Sequence, residues 1–244
     1  MENSPIQIVC HRGANEFAPE NTYASSQICI DWGMDYVEID VNSSNDGILY
    51  VFHGLELEKT TRGKGIIMAH LADDIDQLDA GESFDPKFKG EPIPRLDDYL
   101  GWIKGKAKLF LDIKFANLNQ LIALIRKHEF ENDCFFWFQM PEMAITFRKL
   151  APDLTLKVNA NSIAEIKQAI KELDANIVEI DYENASPDLI NFCKTHNACS
   201  MIYYQDADED VFENIINLQP DFINTNYGDR FAKKQKEILL LKNK

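Results

Sequence analysis

Tyr36-Val37-Glu38-Ile39-Asp40 alternates its side chains with a period of two, and Ile177-Val178-Glu179-Ile180-Asp181 repeats the pattern far along the chain. That period is the signature of a β-strand, whose successive side chains point to opposite faces. In each copy the two acids share one face, and Val37 with Ile39, or Val178 with Ile180, share the other. Such strands suit a barrel in which the acids point inward and the aliphatic residues face an outer layer of helices.

Working outward from these copies, β-branched or aromatic runs recur at 6–11, 36–41, 107–114, 134–139, 154–159, 176–182, 199–205 and 221–226. Helical patterns lie between most of them, at 21–32, 118–128, 141–150, 162–173, 187–196 and 207–218, and a last one at 229–241 closes the chain. Eight β-α units in this length predict a TIM (β/α)8 barrel. The main competitor, a doubly wound open sheet, usually carries a Gly-rich phosphate loop after its first strand, and this chain has none there. One run breaks the alternation. Residues 48–53 follow Val41 after Asn45-Asp46-Gly47, a hairpin turn, and a parallel neighbour would need a crossover of a dozen residues or more. The run is therefore expected to be antiparallel, and to return His53 to the barrel mouth. Residues from about 55 to 95, rich in Gly, Lys and Asp, read as a small insertion after the second barrel strand, within a single domain spanning 1–244.

The chain has 244 residues, 45% of them hydrophobic, which is enough for one sizeable core. A net charge of -15 argues against nucleic acid as a partner and against docking on an anionic membrane. A phosphodiester remains compatible with an acidic protein, because a bound cation inverts the local field. No apolar run has the length of a membrane span, and Met1-Glu2-Asn3-Ser4-Pro5 lacks the basic and apolar regions of an export signal. Cys10, Cys29, Cys134, Cys193 and Cys199 are odd in number, form no CxxC pair and mostly lie in apolar runs. They read as buried free thiols, and the expected location is the cytoplasm.

Glu38 and Asp40 fall near the C-terminal end of their strand, where barrel active sites are built. Paired carboxylates repel unless a cation or a proton sits between them. Asp112 can complete an oxygen site for Mg²⁺ or Ca²⁺, with Mn²⁺ as a third choice. Lys114, two residues on, can hold a phosphate oxygen or pair with a carboxylate. The same four residues could instead form an internal ion-pair layer. His11 and Arg12 end the first strand beside them. His11 and His53 can act as base and acid on opposite sides of a phosphorus, and Arg12 offers a planar fork to its oxygens. In Pro19-Glu20-Asn21-Thr22, Asn21 or Thr22 can cap the first helix, leaving Glu20 over the mouth to contact substrate or metal. Asp181, with Tyr203 or Tyr204 as an aromatic face, is a candidate for contacting a cationic head group, whereas Glu179 reads better as the partner of Lys157 on the neighbouring strand. His70, His128 and His196 read as surface residues.

The ordered set resembles the glycerophosphodiester phosphodiesterase family. It comprises His11-Arg12-Gly13, Pro19-Glu20-Asn21-Thr22, Glu38-Ile39-Asp40-Val41, His53, the Thr-x-Gly-x-Gly at 61–65, the Ile-Pro-x-Leu at 93–96, Asp112 with Lys114, and Thr225-Asn226-Tyr227 with Asp229. The resemblance implies a TIM barrel, a metal on Glu38, Asp40 and Asp112, His11 and His53 as the acid–base pair, and Arg12 and Lys114 on the phosphate. The chain departs from the family pattern at Gly54, where Asp is common, at Asp112, where Glu is common, and at Tyr203-Tyr204-Gln205, where a Trp-Thr motif is common. The activity expected is metal-dependent hydrolysis of a small-molecule glycerophosphodiester to glycerol 3-phosphate and an alcohol. The alternatives are a lysophospholipase D-type phosphodiesterase and a barrel that binds phosphodiesters without turnover.

Overall fold

The computed structural model describes residues 5–242. The lead-in at 1–4 lies outside them. In chain order the elements are β1 Gln7–Cys10, α1 Tyr23–Asp31, β2 Tyr36–Ser43, β3 Leu49–Val51, α2 Ala72–Ile75, α3 Leu96–Ile103, β4 Lys108–Ile113, α4 Leu118–Lys127, β5 Cys134–Phe138, α5 Pro141–Leu150, β6 Thr155–Asn159, α6 Ile163–Leu173, β7 Ile177–Asp181, α7 Pro187–Thr195, β8 Cys199–Tyr203, α8 Glu209–Leu218, β9 Phe222–Thr225 and α9 Gly228–Lys242. Parallel pairing runs from β2 through β4, β5, β6, β7, β8 and β9 to β1, and β1 closes the ring on β2 through Val9 opposite Tyr36 and Cys10 opposite Val37. The result is the TIM barrel the alternation predicts. β3 pairs antiparallel with the upper end of β2, Val51 opposite Val41, as the Asn-Asp-Gly turn requires.

The period of two sorts the interior into layers. Val9, Tyr36, Phe110, Phe135, Ile177, Met201 and Phe222 form an apolar plug inside the ring. Phe110 stacks on Phe135 at 4.7 Å, and Tyr36 meets Phe135 and Phe222 at 5.3 and 5.7 Å. Two residues further along the same strands, Glu38, Asp112 and Trp137, with Glu179, Tyr203 and Asn224, line a cavity of about 210 Å³ above the plug. The odd residues of β2, Val37, Ile39 and Val41, face the helices and belong to the main core.

The segment between β3 and α3 carries short 3₁₀ turns and α2. Leu57, Ile67, Ala72, Ile75, Ala80 and Ile93 pack with Tyr50 and Phe52 into a small core of their own. The helix α3 has no counterpart among the helical patterns read from the sequence. Leu96, Tyr99, Leu100 and Ile103 are all buried on one face of it, with i, i+3, i+4, i+7 spacing. It supplies the crossover before β4.

The five cysteines are free, and four are buried. Cys199 departs from the expectation, because it opens β8 and is exposed. No helix among the described residues is long and apolar enough to cross a membrane.

Candidate active site

The site sits at the C-terminal ends of the barrel strands. β1 ends at Cys10, and the chain turns sharply through Arg12 and Gly13, both with left-handed backbone (φ 57° and 79°). Gly13 is required there, since a Cβ would stand 2.5 Å from Ser25 Oγ. The turn holds His11 over the ring: its backbone N–H donates to Thr225 O at 3.1 Å.

The His11 ring has a defined tautomer. Nδ1 lies 2.7 Å from Asn226 Oδ1, and the Asn15 amide donates to the same oxygen at 2.6 Å. The Asn226 NH₂ group is turned away to Gln205 O, at 3.2 Å. Asn226 Oδ1 is therefore an acceptor, and His11 Nδ1 carries the proton. Nε2 keeps its lone pair, 3.7 Å from Glu38 Oε1. Burial, then the neighbouring Arg12, hold the ring below its ordinary pKa, so it is neutral at neutral pH.

Glu38, Asp40 and Asp112 each place one oxygen within 4.8 Å of the others. Glu38 and Asp40 are fully enclosed. Asp112 Oδ1 is buried with no hydrogen-bond partner, and Asp40 Oδ1, 3.0 Å from Lys114 Nζ, is out of hydrogen-bond alignment with it. Burial, with the charge of Asp40 beside them, pushes Glu38 up to about 8 and Asp112 up to about 7. Asp40 moves the other way: burial would raise it, but Lys114, His53, Arg12 and the Asn21 hydrogen bond outweigh that. Two raised carboxylates beside one ionised carboxylate, with buried oxygen lone pairs unmet, suit a hard divalent cation. The donor set fits such an ion.

Lys114 Nζ bonds Asp112 Oδ2 at 2.6 Å. Arg12 Nε lies 3.4 Å from Asp40 Oδ2, and its Nη1 lies 3.2 Å from Glu20 Oε2. Glu20 also accepts from Lys59 at 2.9 Å. His53 stands on the far side of Glu20, with Nδ1 3.9 Å from Glu20 Oε1 and 2.6 Å from Lys59 Nζ. Burial, with Arg12, Lys59 and Lys114 around it, lowers His53 to about 4 against the pull of Asp40. Asn42 on β2 fixes the strand end that carries His53, donating to Gly54 O at 2.6 Å and to Phe52 O at 3.3 Å.

Some residues do more than their sequence pattern conveys. Thr22 caps α1 with a capping box to Ser25. Asn21 does not cap: it donates to Asp40 Oδ2 at 2.7 Å and accepts from the Asp40 N–H at 2.9 Å. Asn161 makes the same bracket around Asp181, at 2.6 and 2.9 Å, on the opposite side of the ring. Asp181 is thus engaged and does not line the central cavity, whereas Tyr203 does, edge-on to His11 at 6.2 Å between ring centres. Glu179 pairs with Lys157 at 2.5 Å, the pair the sequence suggests, although the register sets Asn159 opposite Glu179 and Lys157 reaches up from two residues below. Asn224 bridges the two acid pairs, donating to Glu38 at 2.7 Å and to Glu179 at 3.3 Å. His128 is less exposed than a surface reading implies and meets Asp97 at 2.6 Å.

A (β/α)8 barrel with a carboxylate cluster, a base-form histidine and two cations on its mouth defines a class of barrel hydrolase built for anionic esters. Comparison with known proteins narrows the class. The profile of the Glycerophosphoryl diester phosphodiesterase family matches residues 11–144. The chain is 29% identical to a glycerophosphodiester phosphodiesterase of Caldanaerobacter subterraneus subsp. tengcongensis, over 89% of this chain and 93% of that one. The crystal structure of a glycerophosphodiester phosphodiesterase from Agrobacterium tumefaciens superposes with a TM-score of 0.89 at 35% identity, covering 93% of this chain and 99% of that one. An Oleispira antarctica phosphodiesterase, solved with the product sn-glycerol-3-phosphate, shares the fold with a TM-score of 0.87 at 24% identity, over 95% and 97% of the two chains. The chain belongs to the glycerophosphoryl diester phosphodiesterase family.

Proposed function

We propose that this chain hydrolyses glycerophosphodiesters to glycerol 3-phosphate and an alcohol, using a divalent cation and two histidines. Family membership and the relatives named above support the substrate class. In this reading Glu38, Asp40 and Asp112 hold the cation, Mg²⁺ or Ca²⁺ ahead of Mn²⁺. When bound, the cation polarises the phosphoryl oxygens and offsets the charge that builds on them. Arg12 and Lys114 grip the remaining oxygens, with Glu20 orienting Arg12. His11 Nε2 takes the proton from the nucleophile, either the glycerol 2-hydroxyl, giving a cyclic intermediate, or water. His53, which takes up a second proton as the negatively charged phosphate enters the site, gives that proton to the departing alcohol. The whole chain acts as one cytoplasmic domain, with 55–95 as its insertion.

The observation that carries this reading is the fixed tautomer of His11, whose lone pair lies beside the carboxylate cluster. The test is release of glycerol 3-phosphate from a panel of glycerophosphodiesters with Mg²⁺, Ca²⁺, Mn²⁺ or chelator. Cation-dependent release supports the enzyme; binding without release with every ion would leave a non-catalytic barrel. A second reading, hydrolysis of lysophospholipids, is favoured by a groove of about 250 Å³ that shares Glu20 and Lys59 with the site and is lined by Pro19, Ala80 and the exposed Phe84. Acylated substrates in the same panel separate the two.

Head-group choice falls to Tyr203 and Asp181. A cation–π contact to Tyr203 is worth about 0.5–2 kcal/mol, or a several-fold preference. The expected result is a higher kcat/KM for glycerophosphocholine or glycerophosphoethanolamine than for glycerophosphoglycerol, reduced in Asp181→Asn. Equal values in both proteins would leave Asp181 only its bond to Asn161.

A further inference from the structure

We infer that Lys59 is a positioning residue for His53, fixing which ring nitrogen carries the proton and keeping Glu20 ready for the other protonation state. The inference rests on the two-histidine reading above.

Lys59 ends the 3₁₀ turn Leu57–Lys59. That turn is anchored: Leu57 is buried in the small core, and Thr61 Oγ donates to Leu57 O at 2.7 Å. The long stem of Lys59 passes over Gly54, its Cδ 3.9 Å from where a Cβ would stand. Its ammonium then reaches two side chains of the site, His53 Nδ1 at 2.6 Å and Glu20 Oε1 at 2.9 Å. A backbone anchor and two bonds to site residues distinguish it from a solvated surface lysine.

An ammonium has donors only. His53 Nδ1 must therefore accept, and the proton of the neutral ring sits on Nε2. His11 has the opposite arrangement, because its Nδ1 faces an oxygen that can only accept. The two histidines are thus set in opposite tautomers by neighbours that touch no carboxylate of the cluster. When His53 takes up a second proton, Nδ1 becomes a donor and Lys59 can no longer bond it. Glu20 Oε1, 3.9 Å away, is the acceptor within reach, and Lys59 keeps its bond to that same oxygen. Lys59 and Glu20 so serve the two protonation states of one ring in turn.

The test reads the ring directly. In cation-free protein labelled with ¹⁵N-histidine, the five histidines give a resolvable set, and His53 is assigned by its loss in His53→Ala. Wild type is expected to show protonated Nε2 and bare Nδ1 at His53. Lys59→Met should shift that signature toward a mixture of tautomers, and Lys59→Arg should restore it. In turnover, Lys59→Met should lower kcat by up to about 10²-fold, with KM little changed, as for a misplaced catalytic group. An unchanged His53 signature in Lys59→Met, or a loss confined to KM, would overturn the inference. Should wild type release no glycerol 3-phosphate from any substrate, the catalytic reading fails, while the tautomer comparison still decides the place of Lys59.

Discussion

His11→Ala is expected to lower kcat by ~10²–10⁴-fold while leaving the fold intact, the range for removing a general acid or base. The ring is tethered by Asn226 and Asn15 on one nitrogen and bare on the other, so it is organised before substrate arrives. Burial and Arg12 keep it neutral, which a base requires. Alanine removes the lone pair and leaves its neighbours in place, since the barrel plug beneath is built from other residues. His53→Ala should fall in the same range. Circular dichroism would confirm the fold, and a rate near wild type on the best substrate would remove the residue from the mechanism.

Chelation is expected to abolish turnover without unfolding the protein, and Asp112→Asn or Glu38→Gln to weaken cation binding in calorimetry. Cation ligands must be deprotonated, so protons compete with the ion wherever Glu38 (about 8) and Asp112 (about 7) are still protonated. Affinity should therefore rise with pH through this range, and binding should release protons, which titrations in buffers of different ionisation enthalpy would measure. The same two groups set a sign for stability. Their ordinary values are 4.5 and 3.8, so between those values and about 7 to 8 the folded, cation-free chain holds protons the unfolded chain has lost. Their contribution to stability is present at low pH and lost as pH rises through that window. Added cation should restore it. Binding independent of pH, or three carboxylates whose loss leaves affinity unchanged, would refute the cluster as the ion's site.

The barrel was legible because strand alternation is local: Glu38 and Asp40 face inward for the same reason that Val37 and Ile39 face outward. The antiparallel β3 was legible from its turn. The helix α3 is short, 8 residues directly after the irregular segment that ends near 95, so the period of Leu96, Tyr99, Leu100 and Ile103 covers only about two turns. Asn21, Asn226 and Lys59 could not be read as site residues from spacing. Their partners lie 19, 215 and 6 positions away and meet them only through loop geometry. The pairing of Glu179 with Lys157 was readable because both side chains point inward on neighbouring parallel strands, although the register sets Asn159 opposite Glu179 and the long Lys157 side chain spans the two-residue offset.

The brackets Asn21–Asp40 and Asn161–Asp181 stand half a turn apart on the ring, four strands in either direction. One holds Asp40 of the carboxylate cluster; the other holds Asp181, which lies outside that cluster. The molecule therefore carries a second bracket of the same design away from the cluster, already shaped and already satisfied in its hydrogen bonds. Mutation can explore that far wall of the mouth, trading side chains to suit new alcohols, without touching the reactive half. Diversification of what is cleaved off and conservation of how it is cleaved can proceed in one barrel, on facing walls.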